Sequence, residues 1–480
     1  MSPSPLVPLL CRPRPPVAPV ALGPGGTVTW GTFCGEVATL RDTIRSLAPS
    51  EWVLNCEDSY HFAVAFCAAL SAHRSILLPG NSRPEAVASL ATAQRGCLVD
   101  GSPPPGFDVT VPLPLPGGTE SVETLDIPDV ESPWVTLLTS GSTGQPKPVR
   151  KSLANLLTEV AALETTWGHL VHDARVVSTV SHQHIYGLLF RVLWPLCTGR
   201  PFVRHPLLFP EQVLAEASQE AVLVASPATL NRVARRAPTP YRAIFSSGGA
   251  LSPEAAADSQ QYLGCQPNEI FGSTETGGIG WRNHTAPDAP WTLFPGVRAK
   301  VGTDHALFVH SPYVTPSGWV STGDAVRRLD DQRFVWLGRI DQIVKVAEKR
   351  VSLTEVEKRL GQLDWVREAT VLPLGPIDKT VLGAVLVLTP EGQAVRDQHG
   401  PGRFRLQIRR ELRRWLEPAA IPRRYREVAD LPVNAQGKRI RVELQSLFGP
   451  PRESPLASTL LPAHTGMAEG RPGRTLDKRR

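Results

Sequence analysis

A chain of 480 residues is too long for a single hydrophobic core, so we expect at least two domains. The 41% of apolar and 20% of charged residues are ordinary for a globular protein, and no apolar run approaches the ~18 residues of a membrane span. The net charge of +6 does not indicate a nucleic-acid partner, because residues 450–480 hold six Lys or Arg against three Asp or Glu, which is half of the excess.

The cysteines and the first residues suggest a cellular location. Seven cysteines, an odd number without CxxC spacing, favour reduced thiols over disulfides or a zinc site, so we expect a cytoplasmic protein. Residues 1–26 are rich in proline and lack the continuous apolar core of a secretory signal. We treat them as a separate Pro-rich N-terminal segment.

Along the next part of the chain, short apolar runs alternate with helical patterns. Strands are predicted at 52–56, 75–80, 174–180, 221–225 and 243–247, and helices at 60–73, 84–94, 152–170 and 186–196. Strands that alternate with helices are typical of a parallel sheet. The pattern therefore predicts an α/β fold.

After residue 291 the pattern changes. Short strands at 306–312, 319–329 and 333–340 predict a β-rich subdomain. A helix then begins with Thr354 as N-cap and Glu357 three residues later. Strands follow at 369–375 and 384–390, a loop at 391–402 and a helix at 403–416. We expect a large N-terminal domain at 27–340, a small C-terminal domain at 341–448 and a disordered basic tail at 449–480.

The stretch TLLTSGSTGQPK at 136–147 combines glycines, hydroxyl side chains and one lysine behind an apolar strand. Glycines allow a backbone to approach an anion closely, and hydroxyls with a lysine suit triphosphate oxygens. The stretch is not a Walker loop, because Pro146 and Pro148 flank Lys147 where that motif needs Gly and Ser or Thr. Taken alone, a Gly- and Ser-rich stretch of this kind is more often a flexible loop than a phosphate site.

This stretch resembles the signature loop of the adenylate-forming (AMP-binding) superfamily, which includes acyl- and aryl-CoA synthetases. Six further strings resemble motifs of that family and occur in its order: SHQHIYGLLF (181–190), SSGGAL (246–251), FGSTETGG (271–278), STGD (321–324), GRID (338–341) and LPVNAQGKRI (431–440). The resemblance implies a large N-terminal domain of layered, parallel-rich sheets with helices plus a β-rich subdomain, and a small mobile α+β C-terminal domain. It implies an AMP-forming ligase that activates a carboxylate with Mg-ATP and passes it to a thiol.

The resemblance also implies roles for single residues. Lys438 would bridge carboxylate and phosphate oxygens, Thr274 would contact the α-phosphate, and Glu275 with Thr139 would hold Mg²⁺, which prefers oxygen ligands. Asp324 would accept from both ribose hydroxyls. The ATP-binding set implied in this way is Thr139, Ser140, Gly141, Ser142, Thr143, Gly144, Lys147, Gly248, Gly249, Phe271, Gly272, Asp324 and Arg339.

The carboxylate pocket and the hinge complete the implied site. His184 and Tyr186 would line the substrate pocket, and Asp341 would be the hinge about which the small domain rotates. The string HIYGL is similar to that of plant-type aryl-CoA ligases, which favours an aryl or medium acyl carboxylate. No acidic anchor for an amino group is apparent.

Two departures from the family pattern leave alternatives open. Phe271 stands where many relatives have Tyr, and Glu348 stands where many have Gly close to the pantetheine arm. The acceptor is therefore either CoA or the phosphopantetheine of an acyl carrier protein, which the arginines 409, 410, 413 and 414 would attract. Glu348 and the short N-terminal part also allow a degenerate nucleotide-binding homologue that acts as a scaffold in a biosynthetic complex.

Overall fold

The structure is a computed structural model that describes residues 13–80, 82–115, 134–140, 146–233, 240–286, 289–315, 318–346, 349–375, 380–433 and 439–449. Several residues predicted to be functional lie outside these ranges: Gly141, Ser142, Thr143, Gly144, Glu348 and Lys438, and most of the predicted tail. Within the described ranges, no helix is long and apolar enough to cross a membrane.

The strands of the described residues are numbered in chain order. They are β1 (Pro19–Gly23), β2 (Gly26–Thr29), β3 (Glu51–Asn55), β4 (Ser75–Leu78), β5 (Arg95–Val99), β6 (Thr110–Pro112), β7 (Trp134–Ser140), β8 (Pro146–Ser152), β9 (Arg175–Ser178), β10 (Phe202–Val203), β11 (Ala221–Ala225), β12 (Ala243–Ser246), β13 (Pro267–Ser273), β14 (Gly277–Arg282), β15 (Trp291–Leu293), β16 (Arg298–Val301), β17 (Ala306–His310), β18 (Trp319–Arg328), β19 (Arg333–Arg339), β20 (Ile343–Val346), β21 (Lys349–Ser352), β22 (Val366–Leu374), β23 (Val381–Leu388) and β24 (Arg424–Glu427).

The helices follow the same order. They are α1 (Trp30–Arg45), α2 (Ser59–Ser71), α3 (Pro84–Ala88), α4 (Leu153–Val171), α5 (Ile185–Gly187), α6 (Trp194–Thr198), α7 (Pro210–Ala215), α8 (Pro227–Leu230), α9 (Pro253–Leu263), α10 (Leu353–Gly361), α11 (Pro390–His399), α12 (Pro401–Leu412) and α13 (Arg441–Ser446). A π-helical segment, Leu188–Leu193, follows α5 directly, so the helix predicted at 186–196 is interrupted.

The described residues divide into two compact units. The larger falls within 1–344, 350–359 and 432–440, and the smaller within 345–349, 360–431 and 441–480. The domain limits 27–340 and 341–448 remain predictions.

Two sheets organise the larger unit. The first has the strand order β6-β5-β3-β4-β7-β8 and is parallel except for the β7–β8 hairpin. The second runs β16-β17-β18-β19-β15-β14-β13-β12-β11-β9-β10-β1-β2 and is parallel from β13 to β1. These mixed sheets with their helices confirm the predicted α/β class. The strand β1 lies inside the predicted Pro-rich segment, and it pairs with β10, where Ala21 lies opposite Phe202.

Helix α4 fixes the core beside the second sheet. Its start is a capping box, in which Asn155 N–H donates to Ser152 Oγ and Ser152 N–H donates to Asn155 Oδ1. Near its end, the Trp167 ring lies 4.9 Å from the ring of Phe245 and 5.4 Å from that of Phe294, measured between centroids. An aromatic core thus joins the helix to segments on either side of β13.

The smaller unit contains the sheet β22-β23-β24, in which β23 pairs antiparallel with β22 and parallel with β24. The prediction of a loop at 391–402 is wrong, because most of that segment forms helix α11. Thr389 Oγ1 accepts from Gly392 N–H at 3.0 Å and Pro390 occupies the first turn, so a cap and a preset φ outweigh the polar, Gly-containing composition.

The predicted cap of α10 is also wrong. The helix begins at Leu353, and Ser352 Oγ accepts from Glu355 N–H, so the cap is Ser352. Thr354 lies inside the first turn, where its hydroxyl donates to Gln342 Oε1 at 2.6 Å.

Candidate active site

Four neighbouring parallel strands of the second sheet end at a common edge. Ser178 of β9 pairs with Val224, and Ser246 of β12 pairs with Ala225 and with Glu269 of β13. The segments that follow β9, β12 and β13 carry the predicted pocket, glycine and Thr-Glu motifs. Because ligands of open α/β sheets bind beyond the carboxyl ends of the strands, this edge is the candidate site.

The phosphate stretch leaves and re-enters the first sheet as the hairpin β7–β8. Val135 and Leu137 of β7 are buried, and Thr139 lies opposite Lys147, with its hydroxyl donating to Lys147 O at 3.1 Å. The backbone of Ser140 lies opposite that of Pro146. The two ends of the undescribed glycine loop are therefore paired with each other in a hairpin that begins on a buried strand.

Lys147 meets the Thr-Glu turn. Its Nζ lies 3.5 Å from Glu275 Oε1, and both side chains are partly exposed. The two residues are 128 positions apart, so the fold brings the phosphate stretch and the candidate Mg²⁺ ligand together. Within the described residues no group of three or more His, Cys, Asp or Glu could hold a metal. One half-exposed carboxylate suits a cation that takes its other ligands from phosphate and water.

The turn itself is built by small residues. A Cβ at Gly272 would lie 2.4 Å from Gly277 O, and Gly277 has φ +70°. Ser273 and Thr276 close the turn, since each backbone N–H donates to the other's hydroxyl at 3.2 Å. Thr274 and Glu275 therefore lie at the tip of a tightly constrained hairpin.

Two buried charges lie under this turn, and the sequence reading missed both. Lys151 Nζ donates to Tyr313 O at 2.8 Å, and Glu159 Oε1 accepts from Gly278 N–H at 2.6 Å. Burial lowers the pKa of Lys151 and raises the pKa of Glu159. One signal was available in the sequence, because Glu159 interrupts the apolar face of α4.

The glycine turn follows β12. Gly248 has φ +93°, and the space around its missing Cβ is open. Just beyond it, Leu251 N–H donates to Glu269 Oε1 at 2.8 Å. Although burial alone would raise it, the pKa of Glu269 is lowered by His284, Arg282 and the Leu251 amide. A buried ionised carboxylate thus ties the glycine turn to β13.

Phe271 lies on β13, with its ring among other aromatic side chains. It pairs with Gly280 across the β13–β14 hairpin, and its ring centroid lies 5.2 Å from that of Trp291 and 5.9 Å from that of Phe334. The ring is half-buried. The ring can offer an apolar surface to a flat base, although it lacks the phenolic hydroxyl of a tyrosine.

The structure brings Asp324 and Arg339 together. They are register partners on β18 and β19, with Arg339 Nη1 3.7 Å from Asp324 Oδ2 and donating to Thr322 O at 3.0 Å. Asp324 is buried and accepts from Trp336 Nε1 at 3.0 Å, a donor that the sequence reading missed. Asp341 lies in the helical turn Ile340–Gln342, and its side chain is outside the described set.

The pocket string contains two histidines with different surroundings. His184 is half-buried before α5. His182 is buried, with Nε2 2.8 Å from Cys56 O and Nδ1 2.9 Å from Ser59 Oγ, and burial lowers its pKa to about 3. Tyr186 turns toward the core: its ring centroid lies 4.9 Å from that of Phe190, and burial raises its pKa well above the usual range. Of these three side chains, His184 is the one that presents a partly exposed polar group.

The smaller unit carries a cationic surface on α12. Phe404, Ile408 and Leu412 are buried, which turns the opposite side of the helix outward. On that side Leu406 is 62% exposed, and Trp415, which lies just after the end of the helix, is 66% exposed. We call this surface the arginine face; it comprises Arg403, Leu406, Arg410, Arg413, Arg414 and Trp415. Of the arginines named from the sequence, Arg414 lies 2.6 Å from Glu411 and Arg409 is half-buried.

Comparisons with known proteins found a family model, related sequences and similar folds. A family model described as AMP-binding enzyme matches residues 57–307. A 4-coumarate–CoA ligase of Rhodobacter capsulatus is 29% identical over 64% of this chain and 75% of the relative, and one of Cereibacter sphaeroides is 30% identical over 63% and 69%. The crystal structure of ATP-bound MatB from Rhodopseudomonas palustris has a TM-score of 0.77 at 19% identity, covering 92% of this chain and 98% of that chain. The likeness to MatB concerns the fold.

Proposed function

Because this chain belongs to the family of AMP-binding enzymes and is an AMP-forming acid–thiol ligase, we propose that it activates an aryl or acyl carboxylate with Mg-ATP. The carboxylate attacks the α-phosphorus and pyrophosphate leaves. A thiol then attacks the acyl carbon of the acyl-adenylate, so that a thioester forms and AMP and a proton are released. One observation carries the proposal: the glycine turn, the Thr-Glu turn and the pocket string follow three of the four neighbouring parallel strands that end at one sheet edge.

The proposed ATP contacts rest on the family motifs, and the contact between Lys147 and Glu275 supports them. Lys147, with the loop Gly141–Gly144 and the hydroxyls of Thr139 and Ser140, binds the leaving phosphates. Glu275, whose Oε1 lies 3.5 Å from Lys147 Nζ, would hold Mg²⁺, which would neutralise phosphate charge, and Thr274 would contact the α-phosphate. These groups neutralise charge on both reactants and hold the leaving group in line.

The nucleoside is held by the glycine turn and the β18–β19 pair. Gly248 and Gly249 leave room for a flat base. Gly272 allows its backbone to lie close to Gly277, and the Phe271 ring can stack on the base. Asp324 accepts from the ribose hydroxyls. Arg339, which lies beside Asp324, contacts ribose or phosphate.

Catalysis and thiol transfer use the remaining motifs. Lys438 bridges the carboxylate and the α-phosphate, and Asp341 is the hinge of a mobile C-terminal domain that alternates between adenylation and thiol transfer. Neither the Lys438 side chain nor that of Asp341 is among the described residues. Their roles rest on their place in the GRID and NxxGK strings.

The carboxylate is proposed to be aryl or medium acyl. The relatives named 4-coumarate–CoA ligase support an aryl acid. His184 is the partly exposed polar group beside the pocket string, so we assign it to the carboxylate end. Tyr186 contributes its ring to the pocket wall, because its hydroxyl is buried in the core.

Two thiols remain candidates for the acceptor. CoA is the acceptor in the names of the relatives. The arginine face favours a carrier-protein phosphopantetheine, because exposed arginines around apolar side chains complement an acidic partner with an apolar centre. A reducing, cytoplasmic location is proposed from the sequence, in which seven cysteines occur without CxxC spacing.

The adenylation half-reaction gives the direct test. Carboxylate-dependent exchange of radiolabel between pyrophosphate and ATP should appear with at least one member of a panel of aryl and medium acyl acids. The variant Lys438→Ala should lose exchange by about a hundredfold or more, since a transition-state charge contact is removed. ATP binding without exchange for every acid, or full exchange in Lys438→Ala, would contradict the proposal.

A further inference from the structure

Two buried side chains, one on β8 and one on α4, bond to the backbone of Tyr313 and of β14 beneath the Thr-Glu turn. Lys151 of β8 is 1% exposed and donates to Tyr313 O, whereas Glu159 of α4 is 5% exposed and accepts from Gly278 N–H. We propose that Lys151 and Glu159 form a positioning pair, which keeps the β13–β14 turn in register with β8. The pair thereby sets the affinity for Mg-ATP without touching the nucleotide. The inference rests on the proposed function for the identity of the ligand.

The geometry of β8 places both of its lysines on the same side of the strand. Side chains of a strand alternate, so Lys147 and Lys151, four residues apart, point the same way. Lys147 lies 3.5 Å from Glu275 Oε1, and the charge of Lys151 acts on both Glu159 and Glu275. The candidate Mg²⁺ ligand therefore lies in the field of an outer and an inner cation. The inner cation keeps that field when the outer one turns to phosphate.

Glu159 contacts the strand that leaves the turn, β14. Its Oε1 binds the Gly278 amide, and a Cβ at Gly277 would lie 2.8 Å from its Oε2. Within the described residues Oε2 has no hydrogen-bond partner. Displacement of the turn would break the Gly278 bond and leave a buried carboxylate uncompensated, which is costly.

A stability role alone does not require charges at these positions. Replacing two buried groups of opposite charge together by apolar side chains of similar volume costs far less than removing one of them alone. The double variant Lys151→Met with Glu159→Leu therefore separates positioning from stability, because no single charge is left buried. Its matched control is Lys300→Met with Glu220→Leu, which removes two charges of the same unit that lie outside the core.

The measurement is calorimetric binding of Mg-ATP to the full chain without any carboxylate, together with the thermal midpoint and KM values for ATP and acid in exchange. We expect the double variant to remain folded, with a thermal midpoint lowered only by the loss of the two hydrogen bonds to Tyr313 O and Gly278 N–H. It should bind Mg-ATP about tenfold more weakly and raise KM for ATP but not for the acid. The control should match the wild type in every value.

Two outcomes would overturn the positioning pair: wild-type affinity in the double variant, or a loss of affinity that only follows a loss of folded protein. These outcomes are independent of the carboxylate chemistry. Wild-type protein that binds Mg-ATP but exchanges pyrophosphate with no acid would overturn the proposed function alone.

Discussion

His182 is held between the pocket string and the first sheet in a position that suits only a neutral ring. Its Nε2 faces Cys56 O, an acceptor, so that nitrogen carries the proton, and Nδ1 is left to accept from the Ser59 hydroxyl. The Phe62 ring lies 4.3 Å away between centroids. Burial is the main cause of the lowered pKa, and the nearby Arg191 adds to it. His182 is thus a structural support, and His184 is the candidate for contact with the carboxylate.

This depressed pKa predicts a pH dependence of stability. The unfolded chain takes up a proton near pH 6.5, whereas folded His182 does so only near pH 3, so its stabilisation is complete above pH 6.5 and is lost as pH falls toward 3. Between pH 7.5 and pH 5 the loss is ~2 kcal/mol. His182→Gln removes this pH-dependent contribution, so only the wild type loses it between pH 7.5 and pH 5. The difference between the urea midpoints of wild type and variant should therefore be smaller at pH 5 than at pH 7.5. A gap of the same size at both pH values would contradict the neutral assignment, and the exposed His399→Gln is the control.

At the scale of elements, the β13–β14 hairpin determines where Thr274 and Glu275 lie. Its tight form depends on glycines at 272 and 277, and its base depends on the bond between Glu159 and Gly278. A helix, a sheet hairpin and β8 therefore converge on one turn. Displacements of about 1 Å in such a turn reduce catalysis strongly.

Gly272→Ala tests this dependence. The added Cβ would lie 2.4 Å from the backbone oxygen of Gly277, so the hairpin must open, at a cost of about 1–3 kcal/mol. We expect exchange activity to fall by about a hundredfold while the protein remains folded by circular dichroism. Gly101→Ala is the control, because no atom lies within 4 Å of the added Cβ. Equal activity of the two variants would show that the hairpin tolerates displacement.

At the scale of the whole molecule, the parallel strands were predictable because each is a short apolar run between helical patterns. The motif order located the candidate site for the same reason: the strings fall directly after those strands. The contact between Asp324 and Arg339 was not predictable, because it depends on a register shift between Ala325 and Val326. Lys151 and Glu159 act together only through tertiary contacts, which join β8 to the Tyr313 carbonyl and α4 to the Gly278 amide of β14. The sequence did not predict helix α11, because the N-cap and not the polar composition of the segment determines that a helix forms there.

The smaller unit provides the test that distinguishes the two acceptors. Transfer to an acidic carrier protein should depend on the exposed arginines of the arginine face. Transfer to free CoA should not need a surface that also presents Leu406 and Trp415. Arg410→Glu, alone and with Arg403→Glu and Arg413→Glu, should raise KM for a phosphopantetheinylated acyl carrier protein by about tenfold or more at low salt. Pyrophosphate exchange should be unchanged, because adenylation does not involve the carrier.

The control for this test is Arg298→Glu, an exposed reversal in the larger unit. The effect of Arg410→Glu should also shrink as salt rises, because exposed charges are screened beyond about 10 Å at 0.1 M. Transfer to free CoA at the same rate as to the carrier, with no effect of the reversals, would assign CoA as the acceptor. A loss of exchange in the triple variant would instead place the arginine face in the adenylation step.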